Sequence, residues 1–382
     1  MTESSKPQLF THENIHEIEW STTPEGDYTR RYLLPLVQNE SQKYFRNVHN
    51  TQLMVAKVGE VVLPITVTDF HPENSYTCSP YSHYVLYGGL EEVRHLNKPL
   101  FEAVVRLVMK PVGWYFRRAE LDKVAFVNNY LLSTNLYPSL TAEQVHLLCD
   151  ALPRWFPDRV IVFRSVDERG NPLVKSTLAR NGCEMVLSRQ VWYMQPEEAI
   201  RTRQYRLDEK ELQHHGYGVV NNADMSDDDL LRAVQLYNML YLEKYSYFNP
   251  QLTFEYLKLA RDAEILQLRA LRRDGTINAV MGFFVRNGIM TQPLFGYDTS
   301  LPQEEGLYRL LTMVTLREGL QRNLLVHASG GVGKFKKIRG AKSVIEYNAV
   351  YHRHLPAWRR RPWNLIQALA RYAIPYFQRN DF

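Results

Sequence analysis

A strand, loop, helix, strand pattern that occurs twice constrains the fold of this chain more than any other feature. In the later occurrence, within residues 291–351, the helix is predicted by an apolar stripe with helical spacing, made of Leu307, Leu310, Leu311 and Val314. The run LLVH at 324–327 is typical of a strand buried on both faces. A shift of 164 residues places Tyr137-Pro138 on Leu301-Pro302 and residues 160–163 on this run. The sequence therefore predicts two copies of one fold.

The two copies define the predicted domains. A chain of 382 residues with a hydrophobic fraction of 45% can bury more than one core. We predict an N-terminal extension (1–50), a first domain (51–197), a linker (198–215), a second domain (216–352) and a basic, aromatic C-terminal tail (353–382). The fold class is α/β, of the α+β type, and each domain has a mixed, mostly antiparallel sheet flanked by helices.

Local signals predict several elements within the copies. The run at 52–68 predicts a hairpin about Gly59, and Asp274-Gly275 predicts a second hairpin. Ser139 or Thr141 is the expected cap of a helix in the first copy. A helix at 99–119 is apolar nearly all round, so we expect it to be buried and to be kinked or broken near Pro111.

Composition excludes several classes of protein. The three cysteines lack CxxC spacing, so we expect neither a disulfide framework nor a metal site. The N-terminus lacks a signal-peptide pattern and no long apolar run occurs, which predicts a cytoplasmic protein without integral membrane association. A net charge of +5 is mild for a nucleic-acid binder, although cations gather at 334–342 and 353–361.

The loop that opens the helix of the second copy is a candidate anion site. Pro302 and Gly306 end a strand and begin a helix, whose first N–H groups and dipole would face a bound anion. A glycine-rich, cationic turn follows the next strand. The candidate cofactor-binding residues are Gly306, Leu307, Arg309, Gly331, Gly333, Lys334, Lys336 and Lys337. The alternative for the cations is a solvated face without a ligand.

The order of elements resembles the GNAT superfamily of acyltransferases, and the tandem pair resembles its Fem-like branch. The resemblance is carried by LPQEEGLYRLL, by GKFKKIRGA before the last strand, and by NPLVKSTLARNGCEMVLSRQVWY in the first copy. It implies transfer of an acyl group from acyl-CoA, or another acyl thioester, to an amine. Of the pyrophosphate loop of that family the second copy keeps only Gly306, and the loop STNLYPSLT of the first copy has no glycine. We therefore expect the first copy to be structural or to help form the wall of the substrate site.

Four residues are candidates for catalysis. His327 ends a strand and could act as general base, or be a hydrogen-bonded core histidine. Tyr297 and Asp298 follow the strand that splays from its neighbour in GNAT enzymes; Asp298 could be a base, or a turn former. Tyr351 could protonate a leaving thiolate, although tyrosines at alternating strand positions, Tyr347 included, are often packing residues.

The resemblance also implies an acceptor pocket near the end of a helix in the second copy. Its candidate substrate-binding residues are Tyr241, Lys244, Tyr245, Tyr247 and Asn249. The alternative is that these aromatic residues belong to a hydrophobic core.

Three hypotheses for function follow. The first is an N-acyltransferase that moves an acyl group from acyl-CoA or an acyl carrier protein to a small amine or amino acid by direct attack. The second is a Fem-like aminoacyl transferase that uses charged tRNA, suggested by the basic tail and the reduced loop. The third is a ligand-binding protein that has no catalytic activity.

Overall fold

The computed structural model describes residues 6–91 and 99–379. Its strands are β1 (Gln8–Phe10), β2 (Thr51–Val58), β3 (Val61–Thr68), β4 (Val124–Val127), β5 (Val160–Val166), β6 (Glu184–Met194), β7 (Gly218–Asn221), β8 (Gln267–Arg273), β9 (Thr276–Arg286), β10 (Ile289–Tyr297), β11 (Leu325–His327) and β12 (Lys342–Tyr351).

The α-helices are α1 (Pro24–Gln38), α2 (Pro99–Arg118), α3 (Ala142–Trp155), α4 (Pro172–Arg180), α5 (Pro196–Ala199), α6 (Arg203–His214), α7 (Asp227–Asn238), α8 (Phe254–Asp262), α9 (Leu307–Gln321), α10 (Gly333–Lys337) and α11 (Ala357–Arg379). Two π-helical segments span Ser82–Glu91 and Met239–Tyr245. Short 3-10 turns span Ile15–Glu17, Ser41–Lys43, Asn222–Asp224 and Gln303–Glu305. Among the helices of the described ranges, none has both the length and the apolarity that crossing a bilayer requires.

The chain forms two compact units, and each contains residues from both predicted copies. Unit 1 comprises the chain through Ser188 together with Ser246–Gln251 and Tyr347–Ala373. Unit 2 comprises Arg189–Tyr245, Leu252–Glu346 and the chain from Ile374. The predicted linker at 198–215 forms helices of unit 2, where Tyr205 and Leu212 join the hydrophobic core.

The sheet of unit 1 has the strand order β1-β2-β3-β4-β5, followed by the last residues of β12. Among its described pairings, β4 and β5 form the parallel one, with Val124 opposite Val160 and Val127 opposite Phe163. The sheet of unit 2 has the order β7-β8-β9-β10-β11, followed by the end of β6. There the parallel pair in the part of the chain that the structure describes is β10 and β11. The same pairing scheme occurs twice, so the predicted tandem fold and its mostly antiparallel sheets are confirmed.

The final strand of each sheet comes from the other sequence copy. In unit 1, Ala349, Val350 and Tyr351 of β12 pair with β5. In unit 2, Tyr193 and Met194 of β6 pair with β11. Each parallel pair is therefore flanked by an antiparallel strand from a distant part of the sequence.

Helices cover each sheet with apolar side chains at helical spacing. In unit 1, Leu148 and Leu152 of α3 pack in one core with Phe163 and Ala349. In unit 2, the predicted stripe of α9 packs with Met290 of β10. Both predicted hairpins are present, and Gly59 and Gly275 have the positive φ that their turns require.

Helix α2 differs from its prediction in two ways. It continues without interruption through Pro111, and it exposes apolar side chains that we expected to be buried. The helix carries apolar residues on nearly all its sides. The side with Met109, Val112 and Phe116 packs against the core of unit 1, whereas other apolar side chains remain exposed. Periodicity alone does not distinguish a helix buried all round from one with a second, uncovered apolar face.

Candidate functional site

Strands β10 and β11 separate after a short parallel ladder. Ile289, Met290 and Thr291 pair with residues 325–327, and β11 then ends while β10 continues to Tyr297. A bulge between Thr291 and Leu294, which includes Pro293, shifts the register of β10 on β9 at this point. Beyond Thr291, the edge of β10 that faces β11 therefore pairs with none of the described strands. We call this unpaired edge the β10–β11 opening.

Helix α9 begins at a glycine with left-handed geometry. Gly306 has φ 63° and provides no capping side chain, so the N–H groups of the next three residues precede the first intrahelical bond, Leu310 N–H to Gly306 O (3.0 Å). The Arg309 guanidinium lies above Gly306, where a β-carbon would approach it to 2.7 Å. Glycine at this position therefore accommodates both the backbone conformation and the arginine. The helix start presents N–H groups and a cation, as the anion-site prediction requires.

Glu305, one of the two acidic residues of this loop, is held by neighbours within unit 2. Glu305 accepts hydrogen bonds from Arg273 (2.8 Å) and Tyr217 (3.3 Å). The hydrogen bond from Arg273 is the main reason that the pKa of Glu305 is lowered, so this residue stays ionised and compensated. Leu307 contributes only its N–H group, since its side chain is buried in the core.

Aromatic residues form a cluster at the end of β10. Tyr297 and Tyr308 have ring centroids 6.3 Å apart, and Tyr308 meets Phe335 at 4.8 Å. The π-helical segment after α7 adds Tyr241 and Tyr245, whose centroids are 6.3 Å apart. We call these five residues the aromatic cluster.

Two features position the aromatic cluster and set its hydrogen-bonding character. Gly296 lets the backbone of β10 approach α7, because a β-carbon there would lie 2.6 Å from the backbone of Leu236. The Lys244 ammonium donates to the hydroxyl oxygen of Tyr297 (3.3 Å). Burial raises the pKa values of Tyr245 and Tyr308, so both remain protonated phenols at neutral pH. The sequence suggested Tyr241, Lys244, Tyr245 and Tyr297 but missed Tyr308 and Phe335.

The glycine-rich turn does not direct all its cations outward as predicted. Lys336 is buried, and its ammonium donates to the carbonyl oxygens of Gly330 (2.7 Å) and Ser329 (3.2 Å). Burial, together with the nearby Arg189 charge, lowers the pKa of Lys336 to about 7. Lys336 thus holds the turn together and is removed from the predicted anion contacts.

The remaining cations of the turn divide into buried and exposed groups. Arg339 is buried and makes two hydrogen bonds to one carboxylate oxygen of Asp208 (2.7 and 2.9 Å). Lys334 and Lys337 are exposed, as is Gly331, whereas Gly333 is buried at the start of α10. The exposed cations of the turn are therefore Lys334 and Lys337.

His327 lies in the interior at the last pair of the β10–β11 ladder. Its Nδ1 accepts the Ser329 N–H (3.1 Å), and its ring meets Tyr193 edge-on with centroids 4.7 Å apart. Burial lowers the pKa of His327 to about 4. The imidazole is neutral at pH 7 and its only free lone pair is already bonded, which argues against the predicted role as general base. Of the two alternatives given by the sequence, the geometry fits that of a hydrogen-bonded core histidine.

Asp298 also has other partners. One carboxylate oxygen accepts from Arg232 (2.6 Å), and the other accepts from the backbone N–H of Ser300 (2.9 Å) and its hydroxyl (2.5 Å). Burial acts to raise the pKa of Asp298, but these hydrogen bonds outweigh it and the pKa is lowered. Because both oxygens are occupied and the group resists protonation, Asp298 organises the turn after β10 and is a poor base.

Three predicted site residues belong to unit 1. Tyr351 pairs with Ile161 on β12, and its ring stacks on His354 with centroids 5.7 Å apart. Asn249 is buried, donates to Ser246 O (3.0 Å) and accepts from Asn47 (2.8 Å). Tyr247 is exposed in the same segment. These three residues are therefore not part of the candidate site of unit 2.

No protein-family model and no curated protein sequence matches the chain. Among solved structures, it is similar to the C-terminal domain of a putative lysylphosphatidylglycerol synthetase from Agrobacterium fabrum, with 13% identity, 64% of this chain and 81% of that chain covered, and a TM-score of 0.44. It is similar to FemX, with 9% identity, 59% and 79% covered, and a TM-score of 0.45. It is also similar to a tandem GNAT protein from the clavulanic acid biosynthesis pathway, with 12% identity, 92% and 100% covered, and a TM-score of 0.38. GNAT and Fem-type structures are thus among its structural neighbours. These similarities concern the fold alone.

Proposed function

We propose that unit 2 is an acyltransferase that moves an acyl group from a thioester donor to a small amine or amino acid. The observation that carries the proposal is the β10–β11 opening, which meets the start of α9 at one end and the aromatic cluster at the end of β10. An extended donor in the opening would pair with the free edge of β10. Its anionic end would face the N–H groups of α9 together with Arg309, Lys334 and Lys337.

The chemistry is direct attack on the donor carbonyl. The amine nitrogen attacks the thioester carbon, the C–N bond forms, the C–S bond breaks, and the proton lost by the amine ends on the departing sulfur. We place Tyr297 in this transfer as a relay: it donates its phenolic proton to the sulfur and takes up the proton released by the amine. Its hydroxyl oxygen accepts from Lys244, which leaves the phenolic proton to be donated. With His327 and Asp298 occupied elsewhere, positioning of the two reactants supplies most of the rate.

Lys244 also favours one class of acceptor. Its ammonium lies beside Tyr297, with the rings of Tyr245 and Tyr297 at about 6 Å from it. A carboxylate at this point would pair with the ammonium while an amine on the same molecule faced the donor. An amino acid carries both groups at the required proximity, so it is the acceptor we favour.

The test is binding of acyl-CoA, measured by calorimetry on folded variants. The double charge reversal Lys334→Glu with Lys337→Glu should weaken binding by about 1–2 kcal/mol, since two attractive contacts become repulsive. The matched control is Lys175→Glu in the first copy, which should leave donor affinity unchanged. Lys336 and Arg164 are unsuitable for this comparison because both are buried.

Two results would contradict the proposal. One is the absence of a thermal shift with every acyl-CoA tried, because a ligand that binds the folded state must raise the melting temperature. The other is a larger loss of affinity in the Lys175 variant than in the double variant, which would place the donor in unit 1.

The occupied carboxylate of Asp298 and imidazole of His327 also favour a second candidate, a ligand-binding protein without turnover. It would bind an acyl thioester or a related anion at the same opening but form no amide. Single-turnover assays with bound acyl-CoA and an excess of amino acids distinguish the two candidates. Amide formation supports the enzyme, and tight binding without amide supports the second candidate.

The charged-tRNA hypothesis receives less support from the C-terminal tail than the sequence suggested. Arg359 is buried and donates to Glu120 (2.7 Å), and Trp363 is fully buried in the core of unit 1. Part of the basic, aromatic tail therefore stabilises unit 1. Transfer from charged tRNA would still require binding that weakens steeply with salt, which a titration at two salt concentrations measures.

A further inference from the structure

Helix α2 in unit 1 carries a line of large apolar side chains that face solvent. Leu100, Leu107 and Trp114 are 86%, 73% and 66% exposed, far more than hydrophobic residues of a packed helix. They recur every seven residues, which is close to two helical turns, so they lie in one stripe along the helix. We call it the α2 stripe. A contiguous exposed apolar patch of this kind marks an interaction surface.

Cations line one side of the α2 stripe. Lys110 and Arg117 are exposed and lie three residues after Leu107 and Trp114, respectively. Arg106 is also exposed, four residues before Lys110, and completes a row of three cations. The Arg118 guanidinium lies 5.9 Å from the centre of the Trp114 ring. The acidic residue of the helix, Glu102, is paired with Arg106 (2.7 Å). The surface beside the stripe is therefore positive.

A groove extends the apolar surface toward the π-helical segment at Ser82–Glu91. It encloses about 610 Å3 and is bordered by the cations Arg106, Lys110 and Arg117. Its apolar lining includes Val85, Leu86, Leu90, Leu107, Met109 and Trp114. Apolar depth with a cationic border matches the layered chemistry of a phospholipid surface, in which acyl chains lie below anionic phosphates.

We propose that α2 docks unit 1 on the surface of an anionic phospholipid bilayer. Leucine and tryptophan enter the boundary between headgroups and acyl chains, and the cationic row contacts the phosphates. A second copy of this chain fits the surface less well, because a two-fold contact through α2 would bring like-charged rows together. The proposal is independent of the acyl transfer proposed for unit 2.

The experiment is co-sedimentation of the full chain with vesicles of phosphatidylcholine and phosphatidylglycerol in about a two-to-one ratio, compared with pure phosphatidylcholine. We expect binding to the anionic vesicles that weakens with added salt. The variant Leu107→Ser with Trp114→Ser should lose at least about tenfold in binding. The matched control is Leu173→Ser with Leu231→Ser, two other exposed leucines of 48% exposure each, and it should bind like the native chain.

A second variant separates the apolar and electrostatic contributions. Lys110→Glu with Arg117→Glu should abolish the preference for anionic vesicles, while all these surface variants keep the native circular dichroism spectrum. Quenching of tryptophan fluorescence by brominated lipid should fall in Trp114→Phe. Native-level binding by the Leu107, Trp114 variant, or no binding to either vesicle, would overturn the proposal. So would a dimer in light scattering that the same variant converts to a monomer, because the surface would then serve a second copy.

Discussion

The two units have the same order of strands but differ in the structure of the chain that follows the parallel pair. In unit 1 the ladder closes at Val127 and Phe163, and the chain then turns inward. Asn129 donates to Thr66 (2.6 Å) and to Thr77 O (2.9 Å), and accepts from Arg164 (2.7 Å). In unit 2 the ladder closes at Thr291 and His327, and β10 continues to Tyr297 along the β10–β11 opening. After the parallel ladder, unit 1 thus has a buried, hydrogen-bonded loop, and unit 2 has a continuing strand whose edge is unpaired.

The helices that follow show the same contrast. Thr141 and Gln144 form a reciprocal capping box at the start of α3, so side chains of the chain itself satisfy its first N–H groups. At the equivalent position α9 begins with Gly306, which has no side chain to donate to or accept from. One fold therefore provides a closed helix start in unit 1 and an open one in unit 2. This difference supports our assignment of the donor to unit 2 and of a structural role to the first copy.

The largest effect that we expect on the closed side concerns Arg164. Replacing Arg164 by Met should lower the free energy of unfolding by about 2–4 kcal/mol, because it leaves Asn129 and the carbonyl of Leu132 without their buried donor. Urea denaturation measures the loss. The exposed Arg154→Met on α3 is the control and should change stability by less than about 0.5 kcal/mol. Equal effects of the two variants would mean that the hydrogen bonds from Arg164 do not stabilise the loop after β4.

The next effect concerns His327, which occupies the position of Phe163 in unit 1. The pKa of His327 falls from 6.5 to about 4 on folding. Between pH 4 and pH 6.5 the unfolded chain therefore binds a proton at this residue that the folded chain does not bind. The free energy of unfolding should therefore decrease as pH falls from about 6.5 to about 4, by up to about 3 kcal/mol from this group.

His327→Phe, which copies unit 1, should flatten this part of the pH dependence whatever its effect at pH 7. Urea midpoints measured from pH 7 to pH 4 provide the comparison. His16→Phe, at a histidine whose side chain is 71% exposed, is the control and should follow the native curve. If the unfolding free energy of the His327 variant depended on pH as steeply as that of the native chain, the imidazole would be accessible to solvent. His327 would then again be a candidate general base.

The smallest effect concerns the cap of α3. Thr141→Ala should lower the free energy of unfolding by about 1 kcal/mol, because the Gln144 N–H loses its acceptor. Thr141→Ser keeps the hydroxyl and should restore most of this stability. Neither variant should alter acyl-CoA affinity in calorimetry. A loss of affinity in Thr141→Ala alone would show that the start of α3 also contributes to donor binding.

The sequence was sufficient for features that depend on neighbouring residues. Alternation predicted β2 and β3, glycines marked the hairpin turns, and Thr141 capped its helix, because these features involve residues a few positions apart. The helix start at Gly306 was also predictable, since glycine followed by an apolar stripe occurs in one stretch. The repeat then gave the tandem fold.

The sequence was not sufficient for features that depend on distant partners. Arg232 holds Asp298 from 66 residues away, and no pattern in either segment indicates the pairing. The inward direction of Lys336 and the burial of His327 depend on which carbonyls and rings surround them in three dimensions. The sequence did not predict Tyr308 as part of the aromatic cluster, because this residue lies beside the apolar stripe of α9 and not within it. The pattern of α2 likewise indicated a helix but not which of its apolar sides would be covered.

The exchange of final strands between the two copies has a consequence for synthesis on the ribosome. The antiparallel partner of Ile161 is Tyr351, so the edge of β5 stays unpaired until residue 351 has left the exit tunnel. An unpaired strand edge attracts other chains, and a wait of this length exposes it during translation. Conversely, β6 precedes β11 and is available as soon as the latter emerges. The sheet whose strands are synthesised first is thus completed last, and a stop codon shortly before residue 347 would leave the edge of β5 unpaired.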